Sequence, residues 1–233
     1  MVLSKAAKRS GGAEINLLDQ YPRSKRPIEE RALLVTEENR RIAKQFGRDY
    51  FDGDRMYGYG GYSYNERFWK NTVKQFRDHY QLKSNARVLD VGCANGFMMH
   101  DFKQLMPDMH IEGLDISTYA YENAIPDMKP FIKVGNASAL PYNDETFDLV
   151  ICINTIHNLP LDECGQALRE IERVSRAHAF LTVDAWRNDK EKQSMLKWNL
   201  TALTYMHVND WVKLFKDASY TGDYYWFIAE SAA

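Results

Sequence analysis

Cysteine is scarce in this 233-residue chain: Cys93, Cys152 and Cys164 are its only three, and no two have paired spacing. That argues against a disulfide framework and against a C-x-x-C zinc site. No H-x-x-x-H pair and no cluster of acids at ligand spacing is present, so no metal is expected. An excess of either charge is also missing, with 30 Lys and Arg against 32 Asp and Glu, a net −2. Without a stripe of Lys and Arg the chain has no means of tracking a phosphate backbone, and neither nucleic acid nor an anionic membrane is an expected partner. No apolar run approaches the roughly 18–20 residues that span a bilayer. The N-terminus has no apolar signal-peptide core, so a cytoplasmic location is expected. Lys5, Lys8 and Arg9 sit in a glycine-containing start that reads as part of a flexible segment, residues 1–27, rather than a binding arm.

A chain of this length, 45% hydrophobic and 27% charged, can fill one α/β domain with decorations. Residues 28–46 read as one charged amphipathic helix with Ala32, Val35, Ile42 and Phe46 inward, and residues 65–80 as a second with Phe68, Trp69, Val73 and Phe76. From residue 86 strands and helices alternate. Strands are expected at 86–91, 110–115, 131–135, 147–153, 179–184 and 224–229. Helices are expected at 96–106, 118–125 with Ser117 as N-cap, 161–176, 190–205 and 209–217. Short apolar strands separated by helices predict a doubly wound, mainly parallel, Rossmann-like sheet covered on both faces, any antiparallel edge hairpin being abbreviated. The expected organisation is 28–80 for the N-terminal helices and a loop, and 81–233 for the nucleotide-binding domain.

Residues 87–96, Arg-Val-Leu-Asp-Val-Gly-Cys-Ala-Asn-Gly, and then Gly-Leu-Asp-Ile-Ser ending the next strand, form a nucleotide-binding half-fold. Gly92 and Gly96 let the backbone approach a ligand, with Cys93 between them, and the helix that follows offers free N–H groups to an anion. Asp115 can accept from both hydroxyls of a ribose, beside Ile116. At the third strand end Asn136, followed by Ala137, offers an amide to an adenine amino group, and at the fourth Asn154 lines the far side. The D-x-G-x-x-x-G spacing is similar to the first motif of class I S-adenosylmethionine-dependent methyltransferases, and the resemblance covers about residues 86–185. It implies S-adenosylmethionine contacts at Gly92, Asp115 and Asn136, with Asp90 supporting the loop. Ala94 stands where many members have a glycine, and Asn136 where many have aspartate.

Residues 50–69 hold eight aromatics and four glycines. Two readings stand: a lid that closes over the cofactor, with Tyr57, Tyr59 and Tyr62 offering flat faces that suit a sulfonium, or an aromatic loop that seals the helices to the domain. His157, in Asn-Thr-Ile-His-Asn-Leu after the fourth strand, is the candidate catalytic base; the rival is a histidine bonded to the backbone. Asp184 and Arg187 end the next strand, where Arg187 can bind an anionic group of a substrate. Tyr-Phe-Asp-Gly-Asp-Arg, Trp-Arg-Asn-Asp and Tyr-Thr-Gly-Asp-Tyr resemble bacterial methyltransferases encoded among surface-polysaccharide modification genes. That resemblance implies a small polar acceptor such as a sugar, a nucleotide-linked sugar or a phosphorylated precursor, contacted by Arg55, Arg187 and the tyrosines, Tyr57 among them. Alternatives are a methyltransferase for protein or RNA, a non-catalytic cofactor-binding partner or sensor, and a hydride-transferring Rossmann enzyme. The oligomeric state is left open.

Overall fold

Every strand pair in the sheet is parallel. The computed structural model describes residues 11–22 and 27–229, so Lys5, Lys8 and Arg9 lie outside the described residues. Strands β1 (Arg87–Val91), β2 (His110–Asp115) and β3 (Ile132–Val134) step outward in one direction, and β4 (Phe147–Ile153) and β5 (Ser175–Trp186) in the other. The order therefore reverses between β1 and β4, the place where open α/β sheets bind ligands at the carboxyl ends of their strands. Strand β6 (Met206–His207) pairs with the last two residues of β5, and β7 (Asp223–Phe227) pairs with Phe180 to Asp184. No antiparallel hairpin closes this edge among the named strands. The long connection through two helices returns the chain to the starting end of β5, so β7 enters parallel.

The strands read as continuous apolar runs because both faces are covered. On one face Leu89, Val91, Val150, Leu181 and Val183 pack with α7 (Leu161–Val174) and α9 (Val208–Asp217), whose Trp211 is fully buried. On the other, Val88, Leu149, Ile151 and Phe180 pack with α4 (Thr72–His79) and α5 (Phe97–Leu105) through Phe76, Met99 and Phe102. Helix α6 (Thr118–Glu122) follows β2, and Ser117 caps it by accepting from the Ala120 N–H, as its sequence position predicts. The exposed edge of β7 is covered by the N-terminal segment: Ile15 N–H donates to the Tyr224 carbonyl, and Tyr224 N–H to that of Ala13.

The N-terminal region departs from the periodicity argument. Residues 28–46 form two helices, α1 (Ile28–Leu34) and α2 (Glu37–Ala43), because Thr36 starts a new one in a reciprocal capping box with Asn39. The buried residues are Ile28 and Ala43, not Ala32, Val35, Ile42 or Phe46, which are half-buried. Helix α1 lies against α8 (Asp189–Trp198), with Ile28 and Met195 in one small cluster. Helix α3 (Arg48–Asp52) opens the aromatic loop, and only the second half of residues 65–80 is helical, as α4.

Candidate functional site

The loop after β1 is fixed by the strand beside it. Gly92 sits at φ +84°, and its N–H and that of Cys93 both donate to the Leu114 carbonyl of β2. A Cβ on Gly92 would overlap the Thr155 side chain beyond β4, so glycine is obligatory on two counts. Ala94, also at positive φ (+46°), donates its N–H to Asp115 Oδ2 at 2.7 Å. Ser117 N–H donates to Asp115 Oδ1 at 2.8 Å. The Asp115 carboxylate thus ties the first loop to the second, and each oxygen keeps a lone pair to offer a ligand hydroxyl. Burial pushes the Asp115 carboxyl up, against the pull of the N–H groups of Ser117, Ala94 and Ile116. Asp90, on β1, is 4% exposed; burial first and the nearby Asp115 charge second push it up to about 8. Asp90 is therefore held in its neutral form up to about pH 8.

Asn136 shapes the third loop by accepting the Ser138 N–H, and its amide nitrogen lies 3.4 Å from Glu163 of α7. Ala137 beside it is buried, whereas Ile116 is 53% exposed and presents an apolar surface next to Asp115. Asn154, at φ +51°, receives the Thr182 hydroxyl on its side-chain oxygen at 2.8 Å. Cys93 is buried and its thiol is pushed up by that burial, so it packs rather than reacts. Gly96 at φ +79° is the N-cap of α5. These residues, gathered from sequence positions 90 to 154, converge on the carboxyl ends of β1 to β4.

The aromatic loop covers the same end. Tyr62 stacks on Phe97, the first residue of α5, with ring centroids 5.0 Å apart, and Tyr59 lies 4.3 Å from Tyr62. Burial raises the phenols of Tyr50, Tyr59 and Tyr62; the Asp115 charge adds to the rise for Tyr50 and Tyr59, Asp184 for Tyr50 and Asp90 for Tyr62. The hydroxyls are therefore neutral and feel the charge of the acids at the strand ends. Asp52 clamps the loop, accepting from the Tyr62 N–H at 2.9 Å and the Tyr119 hydroxyl at 2.8 Å. The Ser117 hydroxyl donates to the Phe46 carbonyl at 2.5 Å. Tyr50, Asp52 and Phe46 escape sequence reasoning, because nothing in a loop's composition says which residues will meet α6.

The substrate-side residues are more dispersed. Arg55 folds back on its own loop, donating to the carbonyls of Gly58 at 2.6 Å and Tyr59 at 3.1 Å, and Tyr57 is half-buried in the turn after Asp54. Arg187 is exposed, and its main-chain N–H bonds Glu191 at the start of α8. Asp184 is buried on β5, and its carbonyl takes the Trp211 indole N–H. His157 is 4% exposed; its Nδ1 accepts the Asp184 main-chain N–H at 3.0 Å, which puts the proton of the neutral ring on Nε2. Its carbonyl accepts the N–H groups of Leu203 and Thr204. Burial lowers the His157 pKa, and the Asp184 charge opposes this.

The sequence of residues 89–183, from β1 into β5, matches the model of the methyltransferase domain family. Over 123 residues the chain is 35% identical to the demethylmenaquinone methyltransferase of Lactiplantibacillus plantarum, covering 49% of this chain and 50% of that one. Over 143 residues it is 29% identical to the malonyl-(acyl-carrier protein) O-methyltransferase of Legionella pneumophila, covering 59% and 49%. The chain thus spans about half the length of these relatives. The crystal structure of the YcgJ protein of Bacillus subtilis shares the fold, with a TM-score of 0.51 at 20% identity over 63% of this chain and 66% of that one. The bare Gly92 turn and the two-handed Asp115 fit S-adenosylmethionine as cofactor, on a fold like that of class I methyltransferases, and the match to the methyltransferase domain family spans residues 89–183.

Proposed function

We propose that the protein transfers a methyl group from S-adenosylmethionine to an oxygen or nitrogen of a small polar acceptor, of the sugar, nucleotide-linked sugar or phosphorylated-precursor kind. The observation that carries this reading is Asp115, which holds both loops by one carboxylate beneath a tyrosine lid and keeps a lone pair free on each oxygen. S-adenosylmethionine supplies an electrophilic methyl on a sulfonium whose departure leaves a neutral thioether. The residues then need only hold, align and keep dry. Asp115 would bind the ribose, the Gly92 loop and the start of α5 the methionine end, and Asn136 with Ala137 and Ile116 the adenine. Tyr50, Tyr59 and Tyr62 exclude water and offer ring faces to positive charge. His157 acts as a positioning residue, since its Nδ1 is engaged by the backbone and its Nε2 already carries the proton.

The two relatives act, by their names, on demethylmenaquinone and on malonyl-(acyl-carrier protein). Acceptors so unlike imply that selection lies outside the matched domain, which leaves the lid of residues 46–64 and the rim at Asp184 and Arg187 to make the choice here. The near-zero net charge supports a small acceptor over RNA. No helix among the described residues is long and apolar enough to cross a membrane. The test is transfer of labelled methyl to sugar and sugar-phosphate acceptors, with S-adenosylhomocysteine binding measured alongside. Asp115→Ala should weaken that binding by about 100-fold, the loss of two hydrogen bonds to a charged acceptor. Unchanged binding would remove the assignment of Asp115, and binding without transfer to any acceptor would leave a sensor.

A further inference from the structure

A cavity of about 390 Å³ lies between α4, α5 and the segment leading out of the lid, and none of its lining residues belongs to the loops at the strand ends. That volume suits a small metabolite. Its walls carry both signs of charge: Lys70 and Lys74 before and on α4, against Glu66 before it and Asp101 on α5. Lys70 has an exposed partner in Glu66 at 2.6 Å, a pair worth little in water. Lys74 has no ion pair or side-chain hydrogen bond with any described residue. Neither lysine is therefore committed to the fold.

Asp101 is a built feature, not a surface one. It is 5% exposed, and its Oδ1 accepts the Tyr64 hydroxyl at 2.6 Å. Its Oδ2 is buried with no hydrogen-bond partner among the described residues. A carboxylate oxygen left so is costly unless a donor arrives, and burial correspondingly pushes the Asp101 carboxyl up. His100, on the same wall, engages Asp127 through Nδ1 at 2.6 Å, so its Nε2 is the ring atom left for another partner. Gln104 adds an amide one turn further along.

We propose that this cavity is a second ligand site, separate from the cofactor site, for a small hydroxylated anion. The anionic group, phosphate or carboxylate, lies between Lys70 and Lys74, and a ligand hydroxyl donates to Asp101. The site is joined to the lid through Tyr64, whose ring is edge-on to His100 at 4.9 Å and to Phe97 at 5.8 Å, while Phe97 stacks on Tyr62. A ligand hydroxyl on Asp101 Oδ2 draws on the same carboxylate that holds Tyr64 through Oδ1, so occupancy is felt through Tyr64 and Phe97 at Tyr62.

The inference does not rest on methyl transfer, because its readout is binding. The probes are glycerol 3-phosphate, glycerate and glycerol, titrated into the full 15N-labelled chain to about 10 mM, a range that detects millimolar affinity. Saturable amide shifts at residues 64–74 and 100–105 are expected from one or both anions, with none from glycerol. Which anion binds more tightly identifies phosphate or carboxylate as the preferred group. Lys74→Met should weaken the binding at least about tenfold while S-adenosylhomocysteine affinity stays within about twofold. Asp101→Asn should weaken it similarly, and if that variant fails to fold, Gln104→Ala with Lys74→Met completes the series. No saturable shift from either anion, shifts confined to residues 90–117, or shifts that survive Lys74→Met would each overturn the proposal.

Discussion

Ala94 occupies a left-handed backbone well, at φ +46°, in the turn that delivers its N–H to Asp115. Its small size is what the sequence makes visible; its φ is what the position demands. A non-glycine residue there costs roughly 1–2 kcal/mol, against roughly 0.5–1 kcal/mol of extra unfolded-chain entropy for glycine. Relief of the strain outweighs the entropy, so Ala94→Gly should stabilise the protein by about 0.5–1 kcal/mol in urea unfolding, with cofactor affinity preserved. A destabilised variant would mean that the methyl group packs. The same kind of argument separates the two readings of His157. Its identity and place after β4 leave both base and structural roles open, and the bond from the Asp184 N–H supports the positioning role.

At the scale of elements, the lid is held to the domain by few bonds, and Ser117 makes one of them while also capping α6. Its hydroxyl caps α6 by accepting from Ala120 and anchors the lid by donating to the Phe46 carbonyl. Ser117→Ala should therefore cost about 1 kcal/mol through the cap alone. It should also speed amide exchange through residues 46–64 while leaving exchange in β1 and β4 unchanged. Equal protection in the variant would show that Asp52 and the stacked rings hold the lid without Ser117. The cap was legible, because serine precedes the helix in the expected place. Its second bond was not, since the partner carbonyl is 71 residues away. The break at Thr36 was likewise hidden, because Glu37 and Glu38 continue a helical charge pattern while Asn39 turns the cap.

At the scale of the whole molecule, buried acids under the lid make stability depend on pH. Asp90 titrates at about 8 when folded, against about 4 when unfolded, so folding takes up a proton between those values. The stability that goes with protonated Asp90 is complete below about pH 4 and is lost as pH rises through 8. Asp90→Asn should remove this contribution. Wild type should lose ground to the variant by at most about 1.4 kcal/mol per pH unit between about 4 and 8, and the gap should level above 8. A pH-independent difference in chemical denaturation would show that Asp90 ionises normally. The sheet's edge belongs to this scale too. The parallel entry of β7 depends on pairing with β5, 43 residues back in the chain, and its cover on bonds with Ala13 and Ile15, more than 200 residues away.

By itself the sequence determined the sheet. The apolar strand runs, the punctuating helices and the Gly92-to-Asp115 spacing predict the elements from β1 to β5 within a few residues, because local pattern and nearest-neighbour connections govern a parallel α/β fold. Beyond β5 the helix expected over 190–205 stops at Trp198, and the two-residue β6 is not among the expected strands. It also determined which residues meet at the strand ends, since Asp90, Asp115, Asn136 and Asn154 all close a strand or follow one. Tertiary structure alone decided how those residues are used. It gave Asp115 two N–H donors, left Asp90 without charge, turned Arg55 inward to hold its own loop and drew Tyr50 and Asp52 over the site. The reason is physical: burial, hydrogen-bond partners and nearby charge come from segments distant in the chain, and none of them is written in a residue's immediate neighbours.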